Sequence, residues 1–381
     1  VAVTRLQLRP AGGRGNDMNE PHRGFWPVLG GLRFLLAMWV LFDHTYNFGP
    51  ADRAIPVLTR SGLMAVMCFF VISGFSIHHS IATRPEGYFR RRLLRIFPLN
   101  ALAVLIGWFG WSVLGLSGGY GTPAVPPSVW QFIGCIFLLE ALFPIMIGFL
   151  YPAWSLSIEA VYYLLAPLFR KLQGRPHIPA LMIVSGLLFV AWPLLRNEYV
   201  AGRNSYWLTG IVMLWCWLAG WVAYANAGNR RYLAWLGIAG LASIATQARF
   251  FDVTNVSSAA VNGVAWIGTL MLVFYRIGDV GGRVAAVFDY LGEISFPLYI
   301  LHYPVLFVVS SSLFKAHPNL NYGVTQVAIS LAAAILAYHL VDRPLRQPKA
   351  TLAQAARGWR GRFAGSRGEL SEAAPPLGTT S

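Results

Sequence analysis

From residue 27 to residue 341 the chain is a succession of apolar runs, each close to the length of about 20 residues that a helix needs to cross a bilayer. That pattern points to an all-α, polytopic integral membrane helix bundle, and it makes the few polar groups inside the runs the informative residues. Of 381 residues, 56% are hydrophobic and 12% charged, with a mean hydropathy of +0.53, whereas soluble domains carry roughly 25% charged residues. The formal net charge of +15 would suggest nucleic acid in a soluble protein. Here the basic residues come in short blocks between apolar runs, the pattern that places basic loops in the cytoplasm, so no nucleic-acid partner is expected.

Candidate helices run near 27–47, 62–81, 97–116, 129–149, 153–169, 179–195, 207–226, 232–248, 259–275, 289–311 and 323–341. The blocks Arg84 to Arg95, Arg170–Lys171–Arg175, Arg230–Arg231, Arg276 to Arg283 and the basic tail should all face one side, and eleven crossings cannot satisfy that. The weakest candidate is 129–149, which carries Glu140 and is broken by Pro144. Treated as re-entrant or interfacial, it leaves about ten spans with both termini in the cytoplasm of a bacterium, in its inner membrane. Residues 1–24 are polar, Arg-bearing and without a signal-peptide pattern, and residues 347–381 form a basic tail; both are expected to be disordered, flanking a membrane domain at 25–346. Cys68, Cys135 and Cys216 have no motif spacing and read as packing residues, with neither metal nor disulfide expected.

Ionisable groups within such runs cost several kcal/mol each to bury and by default mark a functional path. Arg33 and His44 are eleven residues apart, three helical turns plus roughly 20°, so they share one face about 16 Å apart along the axis. A guanidinium that grips an anion and an imidazole that handles a proton could line one channel. Equally, Arg33 could snorkel and His44 simply close the helix beside Asp43. Ser155, Glu159 and Tyr163 stand at i, i+4 and i+8, a stripe of hydroxyl, carboxylate and phenol in the segment that Trp154 opens. A carboxylate there needs a partner: it could orient His44, accept a substrate hydroxyl, or bond a neighbouring helix. Tyr299 and His302 are neighbours at i, i+3, with Pro304 loosening the backbone beside them, and are read as support for the pocket. The run Arg90-Arg91-Arg92-Leu-Leu-Arg95 is topogenic in the simplest reading; Arg91 and Arg95, at i, i+4, would also suit the phosphates of a nucleotide. Gly30-Gly31-Leu32-Arg33 has neither the preceding strand nor the spacing of a dinucleotide fingerprint.

Six pieces in order, Arg33-x10-His44, Phe69-Phe70-Val71-Ile72-Ser73-Gly74-Phe75, Arg91-Arg92-Leu-Leu-Arg95-Ile96-Phe-Pro98, Trp154-Ser-Leu-Ser-Ile-Glu159 with Tyr163, Tyr299-Ile-Leu-His302-Tyr-Pro304 and Asp342-Arg-Pro344, resemble acyltransferase family 3. The resemblance implies a ten-helix inner-membrane enzyme that O-acylates a surface polysaccharide, lipopolysaccharide, peptidoglycan or Nod factor from cytoplasmic acyl-CoA. It matches Arg33, His44 and Glu159 to the family's motif positions. Two departures stand out. Ala65 to Cys68 lack the acidic residue often found before the Phe-Phe pair, and Asp342 replaces a commoner Glu. Some relatives carry an extracellular hydrolase-like domain after the last helix; the stretch after 346 is too short for one, so the membrane domain itself is expected to engage the acceptor.

The expected reaction is therefore acyl transfer, most simply acetyl from acetyl-CoA as co-substrate with no bound cofactor, to a carbohydrate or glycolipid hydroxyl. Arg33, Arg91, Arg92 and Arg95 would bind the donor, His44 would act as general base with Glu159 or Asp43 orienting it, and Trp154, Ser155, Tyr163, Tyr299 and His302 would support the pocket. An acyl-imidazole intermediate at His44 is equally open. A proton-coupled transporter is the rival from another class; the lack of an internal repeat or paired broken helices weighs against it. Membrane lipids are expected partners, and self-association is left open.

Overall fold

The computed structural model describes residues 21–45, 48, 62–116, 127–143, 145, 147–195, 206–247, 256–316 and 322–346. The predicted terminal segments, apart from residues 21–24, lie outside the described residues. Twelve α-helices and no strand occur among those described: α1 Phe25–Thr45, α2 Gly62–Thr83, α3 Tyr88–Ser112, α4 Val129–Ile136, α5 Ala153–Lys171, α6 His177–Leu195, α7 Tyr206–Ala225, α8 Arg230–Thr246, α9 Val256–Tyr275, α10 Gly282–Ala316, α11 Tyr322–Ala337 and α12 Arg343–Arg346. The protein is thus an all-α polytopic membrane protein. Among the described residues seven helices qualify as spans by length and composition, namely α1, α2, α3, α7, α9, α10 and α11 with its continuation to Arg346; α5, α6 and α8 are the further long helices.

Residues 129–149 do not form one helix. A capping box between Ser128 and Gln131 starts α4, which stops after eight residues, about 12 Å of rise against a hydrocarbon core of about 30 Å. A turn follows, with Leu138 at φ 58°, and then the 3₁₀ turn Gly148–Leu150. This segment is pinned from two sides. Asn100 of α3 donates to the carbonyls of Cys135 and Ile136 at 2.8 and 3.1 Å, while Ser157 of α5 donates to Leu138 O and accepts from Ala141 N.

Helix boundaries shift where local chemistry overrides the hydropathy signal. The third helix was expected from 97 and begins at Tyr88, because Gly87 in the left-handed region ends the preceding turn and the Arg/Leu run is itself a good helix former. The arginines 90–95 therefore lie in α3 and not in a loop ahead of it. After Ala337 the helix widens into a π turn, Tyr338–Asp342, which turns the buried Asp342 inward before α12.

Close approaches between helices set the register. The Cα of Gly30 lies 2.6 Å from where a Cβ on Gly292 would stand, and a Cβ on Gly30 would lie 2.8 Å from Phe288 O, so α1 and α10 cross with backbone against backbone. The same device joins α2 to α7 through Gly74 and Gly220. Trp215, Trp217 and Trp221 of α7 and Trp266 of α9 are fully buried, whereas Leu164, Ile238, Val264 and Leu336 face outward, as lipid-facing positions should.

The basic turns meet at one end of the bundle. Arg170 donates to Ile81 O, and Arg276 to Tyr224 O at 3.1 Å; Gly228 N bonds Phe274 O at 2.8 Å, and Val280 N bonds Gly24 O at 3.3 Å. Arg346 reaches both Glu293 and Asp342. The start of α1, the turns α2–α3, α5–α6, α7–α8 and α9–α10, and the end of α12 are thus gathered together.

Candidate functional site

A cavity of about 120 Å³ opens among α1, α2, α3, α5 and α10. Arg33, Arg92 and Arg95 line it together with Glu159, Tyr163, Ser155 and Tyr299, and Ser73 and Ser76 contribute from α2. The stripe expected on α5 is real: Tyr163 Oη donates to Glu159 at 2.6 Å, and Ser155 and Tyr299 share a hydroxyl–hydroxyl bond of 2.5 Å. Among the described residues Glu159 is the one carboxylate on the lining, which also carries three guanidinium groups. Arg33 Nε is buried with no hydrogen-bond partner among the described residues, and so is Arg92 Nε. A cavity that presents unmet donors and a surplus of positive charge suits an anion.

The arginines of α3 divide by register. Arg92 donates to Ser80 Oγ at 2.7 Å and stands over the rings of Tyr88 and Tyr163, each 5.7 Å from the centroid. Arg95 is ion-paired with Asp342 at 3.2 Å and Glu293 at 3.6 Å. Arg91, expected beside Arg95, lies outside the cavity: its guanidinium folds back onto the carbonyls of Glu86 and Arg84. Glu293 and Arg346, which complete the network around Arg95, were not anticipated. The signal was present, since Glu293 is an acid within the predicted helix 289–311.

His44 is at a different level of α1. Its Nδ1 lies 2.8 Å from Nε2 of His302, the two rings nearly parallel at 9°. Nδ1 of His302 in turn faces the backbone carbonyls of Tyr299 at 2.7 Å and Leu298 at 3.2 Å. Carbonyls only accept, so in the neutral pair His302 Nδ1 carries its proton and His302 Nε2 must be the acceptor. His44 therefore donates through Nδ1, and its Nε2 keeps the lone pair. The rings of Tyr303 and Tyr151 stand nearly perpendicular to that of His44, with centroids at 5.0 and 6.3 Å.

This geometry corrects the expected pairing. His44 is oriented by His302, not by Glu159, which sits with Tyr163 in the cavity. Asp43 packs toward the start of α2, where a Cβ on Gly62 would be 2.7 Å from its Oδ2. Trp154 is buried outside the cavity lining. Arg33 and His44 share a face of α1 as predicted but not a continuous channel. Tyr299 joins the two centres: its hydroxyl closes the cavity against Ser155 and its carbonyl holds His302.

Comparison with known proteins places the chain in a family. The acyltransferase domain model of acyltransferase family 3 matches residues 27–341. Acyltransferase MdmB of Streptomyces mycarofaciens is 27% identical over 316 residues, covering 74% of this chain and 79% of MdmB. Peptidoglycan O-acetyltransferase OatA of Listeria monocytogenes is 25% identical over 369 residues, 85% of this chain but only 56% of OatA. Nodulation protein 10 of Rhizobium leguminosarum bv. viciae is 22% identical, covering 89% of this chain and 98% of that protein. No solved structure matches.

Proposed function

The chain belongs to acyltransferase family 3 and is a membrane acyltransferase; from this we propose that it transfers an acyl group, most simply acetyl from acetyl-CoA, to a hydroxyl of a cell-envelope or exported carbohydrate. The observation that carries the reading is the His44–His302 pair, which leaves His44 Nε2 as an oriented base at the end of α1 remote from the arginine-rich turns. His44 Nε2 takes the proton of the acceptor hydroxyl as its oxygen bonds to the thioester carbonyl carbon. The C–S bond then breaks, and the departing thiolate recovers that proton from His44, so ester and free CoA thiol balance donor and acceptor.

Donor and acceptor come from opposite ends. A cavity of about 120 Å³ is too small for a whole nucleotide, so the donor's nucleoside stays outside at the basic end while a phosphate meets Arg33 and Arg92 and the acyl arm runs on toward His44. Arg95, held by two carboxylates, serves the wall more than the ligand. The thioester reaches His44 only when the Ser155–Tyr299 contact opens.

Purified full-length protein in a membrane mimetic tests the reading. With acetyl-CoA and envelope glycan it should release CoA thiol and form an ester in step, and neither product should appear without acceptor. Uptake of label into vesicles with no thiol release would instead favour a transporter. Arg33→Gln and Arg92→Gln should each raise the KM for acyl-CoA about tenfold or more with a smaller fall in kcat, as expected for a charged hydrogen bond used in uniform binding. An unchanged KM in both would remove the donor site.

Orientation can be checked separately. In a background free of Cys68, Cys135 and Cys216, single cysteines at the exposed positions Pro176 and Arg283 should resist an impermeant thiol reagent in intact cells and react once the membrane is opened. Labelling from outside would place the arginine end outside and disconnect it from cytoplasmic CoA.

A further inference from the structure

We infer that the groove between the start of α3 and the end of α5 is a binding site for the phosphate headgroup of an acidic membrane phospholipid. The groove has a volume of about 650 Å³ and is separate from the Glu159 cavity. Arg90, Arg170 and Lys171 converge on it, and no carboxylate among the described residues lines it. Arg170 is fixed by its bond to Ile81 O, while neither Arg90 nor Lys171 joins an ion pair among the described residues. The positive end of α3 also opens here: its cap is Gly87, which offers no side-chain acceptor to the first amides. Cations, helix end and missing carboxylate all favour one phosphate.

The walls decide the source of that phosphate. On α5, Leu164, Leu168 and Lys171 stand at i, i+4 and i+7, and on α3, Phe89 is followed by Leu93 at i+4, so each cationic wall continues as an apolar stripe toward the bilayer. These stripes are uncovered, with Leu164 67% and Leu93 60% exposed. A soluble phosphate leaves them unused; acyl chains cover them while the headgroup meets the arginines, at the end of the bundle where the basic turns collect. Tyr88 forms the inner wall, and its hydroxyl donates to Tyr163 O at 3.2 Å, behind which lies the donor cavity. A lipid bridging α3 and α5 therefore braces that cavity from outside.

The test compares the full-length protein in nanodiscs of phosphatidylcholine alone and of phosphatidylcholine and phosphatidylglycerol in equal parts. Phosphatidylglycerol should raise the Tm of the wild type, and Arg90→Gln with Lys171→Gln should lose at least half of that rise while matching the wild type in phosphatidylcholine alone. The single Lys171→Gln variant provides the same comparison where the double variant does not accumulate. Arg230→Gln with Arg231→Gln, exposed charges at the same end but outside the groove, should keep the rise. Loss in both pairs, or in neither, would overturn the site. Inorganic phosphate or adenosine 3′,5′-bisphosphate producing the same rise in phosphatidylcholine, with the same dependence on Arg90 and Lys171, would overturn the lipid assignment.

Discussion

His44→Ala should lower acyl transfer by about 10²-fold or more, the usual loss when a general base is removed, while the protein still inserts and folds, because His44 is in the last turn of α1 and the pair it makes with His302 is a single hydrogen bond. The more searching variants are at His302. His302→Leu removes the acceptor of the His44 Nδ1–H, so the imidazole is free to rotate and to present a protonated nitrogen to the substrate; kcat should fall about tenfold or more with the KM for acyl-CoA unchanged. His302→Gln can place an amide oxygen near the lost Nε2 and should recover part of the rate. Rotation of the ring, not loss of packing, is what separates the two. Equal activity in His302→Leu and wild type would reduce the pair to packing, and near wild-type rates in His44→Ala would remove the base altogether.

The residues that the sequence made legible are those whose burial is expensive within their own helix. Arg33 and Glu159 announce themselves as charges in apolar runs, and the Ser155–Glu159–Tyr163 stripe needs only the helical repeat. What stayed hidden depends on how helices meet. His44 and His302 are 258 positions apart, and nothing in either segment states that the Gly30–Gly292 crossing brings them to one depth. Glu159 was the natural candidate for orienting His44 only because the depth of each was unknown. The same limit explains α3: two arginines at i, i+4 share a face in any helix, yet the cavity takes Arg92 and Arg95, at i, i+3, while Arg91 is drawn to carbonyls freed at the turn before it. The seven runs that meet the length and composition measure needed no such contacts, which is why the fold class was readable when the pairing was not.

Gly220→Val should do the greatest damage to the fold. A Cβ at Gly220 would lie 1.8 Å from Val71 O and 2.7 Å from Phe75 N, and one at Gly74 would lie 1.9 Å from Trp217 O. The obstacle in each case is backbone, which cannot rotate away as a side chain can. The helices must separate, and overpacking of this kind exceeds the 1–3 kcal/mol typical of extra methylenes in a core. Separation would also strip the contacts of Trp217 and Trp221, both fully buried, and pull Ser73, which accepts from Trp217 Nε1 at 3.2 Å, away from the cavity it lines. The expected result is protein that is largely degraded or aggregated, with any survivor lower in Tm and defective in acyl transfer. Gly268→Val is the matched control, since nothing among the described residues lies within 4 Å of a Cβ there; it should accumulate and unfold like the wild type. If Gly220→Val yields a monodisperse protein of unchanged Tm, α2 and α7 do not cross backbone to backbone, and the register that places Ser73 and Ser76 on the cavity falls with that crossing.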